Sequence, residues 1–252
     1  MSPNRPGGPP DGLGHPENND PERRGIGGGT SKGAAAARRR AVRIALCHEL
    51  IRAGVVLERR SMVVATEGNL SARFDPFSIV ITRRGRSKGE LTPRDFVEIA
   101  LVEPEDSPAR EAASTEHRVH LASYGARDDV EAVVHAHPMA LTAFGLRGEL
   151  PNFAAFDEAR AFIGPIALVP YHPSGSEALA NAVGLALMGE GSARKTVVPG
   201  IPVMAPLGAP NLILMRNHGA LTVGDTVDQA LSRLEIAEHL ASTLLLSERT
   251  KL

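Results

Sequence analysis

The run Val130-Glu131-Ala132-Val133-Val134-His135-Ala136-His137-Pro138 decides how this chain is read. The β-branched pair Val133-Val134 favours a pleated strand, and Pro138 stops it. Side chains alternate faces along a strand, so His135 and His137 project to the same side at its end. Two imidazoles placed in this way can chelate one metal ion. A pair of half-exposed strand histidines is the plain alternative.

Working outward, His218 in Met215-Arg216-Asn217-His218-Gly219 follows the apolar run Asn211–Arg216 and also sits at a strand end. Three imidazoles around one ion leave coordination positions open, as a catalytic site requires. Upstream, Ser114-Thr115-Glu116-His117 opens a helix read over Thr115–Tyr124. Small hydroxyl residues there cap free N–H groups, and a helix N-terminus attracts anions. Glu116 is either a carboxylate that complements the helix dipole or a metal ligand or general base. Gly68-Asn69-Leu70-Ser71 and Thr82-Arg83-Arg84-Gly85-Arg86-Ser87-Lys88-Gly89 are polar, glycine-bearing loops beside strands. Backbone N–H groups in such loops can cradle a phosphate, and Arg84 adds charge-assisted bonds. Runs such as Arg83–Lys88 are otherwise solvated surface.

Around these motifs, strands and helices mix. Val42, Leu46, Leu50, Ile51, Val55 and Val56 mark an amphipathic helix from Ala35, with Gly54 expected to end or loosen it. Strands are read at Asn69–Phe74, Ser78–Thr82, Phe96–Val102, Val130–His137, Ile163–Pro170 and Asn211–Arg216. Helices are read at Met139–Phe144, Ser174–Leu187 and Thr226–Leu246. Strands that follow strands imply an α/β layered domain whose sheet is at least partly antiparallel.

The ends of the composition are uneven. Residues 1–40 hold nine of the 25 glycines and six of the 19 prolines. Residues 1–34 therefore read as a disordered tail, or alternatively a partner-binding arm, and 35–252 as the working domain. Residues 189–210 carry eight glycines and prolines, which suggests a functional or mobile loop. The formal charge of -1 argues against a general nucleic-acid binder. The single cysteine, Cys47, excludes an intramolecular disulfide framework and an all-cysteine metal site, and fits a reducing cytoplasm. With no apolar run of about 18 residues, no membrane span is expected, and the N-terminus lacks the apolar stretch of a secretory signal.

In their order and spacing the motifs resemble the class II aldolase/adducin family over roughly residues 42–247. The resemblance rests on Gly68-Asn69-Leu70-Ser71, Ile81-Thr82 with Gly85, Ser114-Thr115-Glu116, the Val-Val-His-x-His run, Pro170-Tyr171 with Gly175, and Asn217-His218-Gly219. It implies a three-layer α/β/α sandwich around a largely antiparallel sheet, and a cytoplasmic homotetramer with interfacial active sites. It implies that His135, His137 and His218 bind a divalent metal, most often zinc, with manganese or cobalt as alternatives. Glu116 becomes a metal ligand at rest and a proton acceptor in catalysis. Asn69, Gly85, Ser114 and Thr115 become holders of the phosphate of a small phosphorylated sugar or hydroxy-ketone, with Arg84 beside them. The implied reaction is retro-aldol cleavage of a phosphorylated ketose through a metal-stabilised enediolate. Related epimerases, dehydratases and decarboxylases share the fold, as does the non-catalytic adducin head.

Three departures stand out. The family's Thr-Pro-Ser/Thr-Gly loop is Thr82-Arg83-Arg84-Gly85 here, which suggests stronger anion binding or a carboxylate-bearing substrate. The aldolase tyrosines near Ala155-Phe156 and in a C-terminal tail have no counterpart, which puts Asp157 and Glu158 forward as replacement proton donors. The 189–210 stretch looks like an insertion acting as a lid or an oligomer contact.

Overall fold

The computed structural model describes residues 29–102, 104–189 and 208–249; most of the expected tail and of the 189–210 loop lies outside the described residues. By its internal contacts the chain separates after Arg39. Of the first unit only the start of α1 (Gly29–Arg59) is described. The helix begins ahead of Ala35, at Gly29, within the stretch read as tail. The reason is the alanine and arginine run Ala34–Arg40, whose residues cost least in a helix and let it propagate backwards.

The second unit, Arg40–Leu252, holds a seven-stranded sheet of order β3-β2-β1-β4-β7-β6-β5. Its strands are β1 (Asn69–Asp75), β2 (Ser78–Thr82), β3 (Phe96–Ala100), β4 (Ala132–Ala136), β5 (Ile166–Val169), β6 (Leu212–Met215) and β7 (Gly219–Gly224). Every pairing is antiparallel except β5 with β6. The sheet is therefore mixed and largely antiparallel, as the family resemblance implied.

Alternation along the strands divides the core in two. Leu70, Ala72, Val134, Ala136, Leu212 and Leu214 pack with α1, α4 (Met139–Arg147) and α6 (Val227–Arg249). Ile79, Ile81, Val133, Ile213, Leu221 and Val223 pack with α3 (His117–Ala126) and α5 (Glu177–Met188). On α1 the fully covered stripe is Cys47, Leu50, Ala53 and Leu57, while Val42 stays exposed. Among the described residues no helix is long and apolar enough to cross a membrane.

Two local expectations change. Gly54 does not end α1. A Cβ there would lie 2.2 Å from the Lys88 carbonyl oxygen, so the glycine is what lets the helix pass against the Lys88–Glu90 turn. Strand β7 was not legible as a strand: its residues are buried throughout, both faces are covered, and no alternation betrays it. The short α2 (Pro108–Ala112), capped by Ser107, also has no periodic signal at its length.

Candidate metal centre

The site lies on the α3 and α5 side of the sheet. Register carries it there: Asn69 on β1 is opposite His135 on β4, and His135 is opposite Leu221 on β7. Directly opposed residues share a face. His137 stands one residue past β4, where its N–H donates to the Met62 carbonyl at 2.9 Å. The β4 end is followed by Pro138 and by α4, whose first N–H groups at Ala140 and Leu141 are accepted by the Glu238 carboxylate at 2.8 and 2.9 Å.

His218 is brought in by the three-residue loop between β6 and β7. Asn217 adopts a φ of 57°, a left-handed conformation that asparagine tolerates. Gly219 then admits the His137 ring: a Cβ at 219 would sit 2.5 Å from both His137 Cδ2 and the Ala136 carbonyl oxygen. The result is a triangle of imidazoles with ring centroids 5.0, 4.9 and 5.1 Å apart.

Electrostatics fit this set to a cation. His135 Nδ1 donates to the Ala220 carbonyl at 2.9 Å, so a neutral His135 turns a bare Nε2 toward His137 Nε2, 3.2 Å away. Two ring nitrogens this close need a shared proton or a cation between them. Burial, and then the neighbouring His135 and His218 charges, push His137 down to about 4, which leaves one ring nitrogen with a free lone pair at neutral pH. One ligand atom from each histidine lies within 4.8 Å of the others. The donor chemistry suits a divalent ion with open positions.

Glu116 closes the fourth side. It stands at the N-cap of α3, just ahead of the first turn in which the sequence reading put it. Its Oε2 is 3.0 Å from His135 Nε2, and its Oε1 is 3.1 Å from His218 Nε2. Burial disfavours its charge, but the His135 and His218 imidazoles set against its two oxygens outweigh that and hold the carboxyl well below the usual carboxylate range. Burial likewise opposes a charge on His135, and the Glu116 carboxylate overcomes it and raises that imidazole. Asn69 Nδ2 and Ser174 Oγ each donate to Glu116 at 2.9 Å.

All the residues expected around the anion come together. Asn69, Arg84, Gly85, Ser114, Thr115, Glu116, His137 and His218 line one cavity of about 270 Å³. Ser114 is placed there because its N–H donates to the Thr82 carbonyl at 3.0 Å, next to an isolated bridge between Arg83 and Ala113. Asn69 lines it with its amide nitrogen donating to Glu116. Asp157 and Glu158 do not reach this cavity. Asp157 is exposed and pairs with Arg160, and Glu158 borders a separate groove against α6.

Thr66, Glu67, Ser174 and Lys88 line the cavity and escaped the sequence reading. Ser174 follows β5 in a loop with no distinguishing pattern. Lys88 sat in a run that looked solvated, yet it is only 2% exposed. Its ammonium donates to the carbonyls of Thr66, at 2.9 Å, and Arg86. Burial lowers its pKa to about 8.

Residues 48–245 match the family described as Class II Aldolase and Adducin N-terminal domain, and the chain belongs to that family. It is 30% identical over 193 residues to L-fuculose phosphate aldolase of Methanococcus maripaludis, covering 77% of this chain and 92% of the relative. It is also 30% identical over 200 residues to methylthioribulose-1-phosphate dehydratase of Acidiphilium cryptum, covering 77% and 87%. L-fuculose-1-phosphate aldolase from Thermus thermophilus superposes with a TM-score of 0.64 at 26% identity, covering 82% of this chain and 95% of that one.

Proposed function

We propose that this protein is a metal-dependent lyase that cleaves a small phosphorylated ketose by a retro-aldol reaction. The observation that carries the reading is one cavity lined by His137, His218 and Glu116 together with Gly85, Ser114, Thr115, Lys88 and Arg84, with His135 held against Glu116. His135, His137 and His218 would hold the metal, most simply zinc. When bound, such an ion polarises a carbonyl as a Lewis acid.

The residues of this chain do the rest. Glu116, ionised at neutral pH, is placed to accept the proton that leaves the substrate hydroxyl and to return it to the carbon left when the carbon–carbon bond breaks. The loops hold the phosphate and orient the ketose, which lowers the barrier by positioning. The reading extends to a three-layer α/β/α sandwich, supported by the two cores on opposite sheet faces, and to a cytoplasmic homotetramer, supported by the family resemblance.

A dehydratase is the second reading, favoured by a specific observation: the relatives named for aldolase and for dehydratase are equally similar, at 30% identity. The test is direct. Purified protein loaded with zinc, manganese or cobalt is given L-fuculose 1-phosphate and methylthioribulose 1-phosphate. Carbon–carbon cleavage of a ketose phosphate is the expected result. Loss of water without cleavage would replace the aldolase reading by the dehydratase one. No turnover and no bound metal would overturn both.

Lys88 gives the phosphate end its own prediction. An ammonium has three donors, and only two are accepted by protein carbonyls. Its charge is present below a pH of about 8 and is lost above it, so anion affinity should fall as pH rises through that value. Lys88→Met should weaken inorganic phosphate binding about tenfold at pH 7, the worth of one charge-assisted bond. Isothermal titration between pH 6.5 and 9 reads both effects. Equal affinity for wild type and variant across that range would remove Lys88 from the anion site.

A further inference from the structure

Behind Glu116 a row of buried polar side chains runs away from the cavity into the core between the sheet and α3. Glu116 Oε2 accepts from Asn69 Nδ2 at 2.9 Å. Asn69 Oδ1 is hydrogen bonded to His120 Nε2. His120 Nδ1 meets Ser71 Oγ at 2.6 Å, and Ser71 Oγ meets Tyr124 Oη at 2.8 Å. The Tyr124 ring lies under the Arg73 guanidinium, 5.1 Å from its centroid. His120 and Ser71 are completely buried and Tyr124 is 2% exposed.

Two periodicities assemble this row. Asn69, Ser71 and Arg73 alternate along β1 onto one face. Glu116, His120 and Tyr124 are spaced by four along the start and length of α3, so they stack along one side of that helix. Strand and helix therefore contribute alternate members.

Donor and acceptor bookkeeping gives the row a direction. Asn69 donates through its amide nitrogen to Glu116, which leaves its oxygen to accept from His120. His120 Nε2 must then carry a proton. Burial pushes His120 down to about 3, so the ring is neutral and its Nδ1 must accept. Ser71 is left to donate to Nδ1 and to accept from the Tyr124 hydroxyl. Every donor thus points toward Glu116, and dipoles aligned in series polarise one another in a low-dielectric interior.

We propose that His120, Ser71 and Tyr124 are positioning residues that lock Asn69, and through it the Glu116 carboxylate, in the orientation the reaction needs. None of the three lines the cavity, so they act only through Asn69 and Glu116. The kinetic part of this inference rests on the lyase reading above, whereas the geometric part does not.

The test has two arms on the full-length protein. In the first, histidine-selective ¹⁵N labelling and NMR report the His120 tautomer, with its signal identified by its loss in His120→Gln. The expected result is the Nε2–H tautomer, both with zinc and after chelation. The Nδ1–H tautomer would reverse the row, turn the Asn69 oxygen toward a carboxylate and overturn the proposal. In the second, kcat and KM are measured on L-fuculose 1-phosphate or methylthioribulose 1-phosphate, whichever the wild type turns over. His120→Leu should lower kcat about 10- to 100-fold with little change in KM and with bound zinc retained, the scale of one to two charge-assisted bonds. His120→Gln should restore part of that loss, because its amide can donate to Asn69. Tyr124→Phe should cost less, at most about tenfold. Equal losses in the leucine and glutamine variants would show a packing role and overturn the proposal. If the wild type turns over neither substrate, the lyase reading fails and the tautomer alone decides this one.

Discussion

Replacing His135 with alanine is expected to empty the metal centre and abolish turnover. His135 is 1% exposed and has its Nδ1 pinned to the Ala220 carbonyl, so its Nε2 is aimed before any ion arrives. Such preorganisation cannot be recovered by a water, because the ring's volume is enclosed by β1 and β7 on either side. Two histidines remain, but one corner of the triangle is lost. A Lewis acid contributes several kcal/mol to stabilising developing charge, so the loss in kcat/KM should be at least about 10³-fold. Metal analysis of purified protein beside wild type is the decisive measurement. Full metal content in the variant would remove His135 from the ligand set.

Glu116→Gln should leave the three imidazoles in place yet lower kcat by about 10²- to 10⁴-fold, the range for removing a general base. The carboxylate accepts from Asn69 on one oxygen and from Ser174 on the other. Glutamine can satisfy only one of those donors with its oxygen, and its amide nitrogen would face the second. The variant therefore loses both the proton acceptor and the orientation. Circular dichroism and thermal melting should show an intact fold, since the substitution keeps size and shape. Activity within about threefold of wild type would transfer the proton step to another residue. Because Glu116 is held far below the usual carboxylate range, acidification from neutral pH to the mid-acid range should not protonate it.

The histidine pair was legible because a strand's period is local. Val133-Val134 sets the strand, and two positions always return to the same face. His218 was legible as a strand-end residue, but nothing local says that its strand end meets that of β4. That meeting depends on β7, the one strand that pattern reading missed. The anion loops were readable through the ordered motifs of the family, and Asn69, Gly85, Ser114 and Thr115 do line one cavity. Lys88 shows the opposite case. Its neighbours Arg84 and Arg86 are exposed, as a charge run leads one to expect. Lys88 is covered because α1 approaches the turn at Gly54, some thirty residues away in sequence. Asp157 and Glu158 were reasonable donors by proximity in sequence, but that proximity does not bring them into this cavity.

The sequence by itself determined which way side chains face: alternation sends His135 and His137 to one side, and four-residue spacing stacks Glu116, His120 and Tyr124. It also determined the family, through six motifs in order. The family motifs implied that His135, His137 and His218 share a metal, but only the tertiary structure decided how they meet, that Glu116 touches two of them, and that Asn69 joins Glu116 to a buried row ending under Arg73. The reason is that facing is set by backbone period within one element. Convergence is set by the register between β1, β4 and β7 and by the packing of α3 across them, which no single segment encodes.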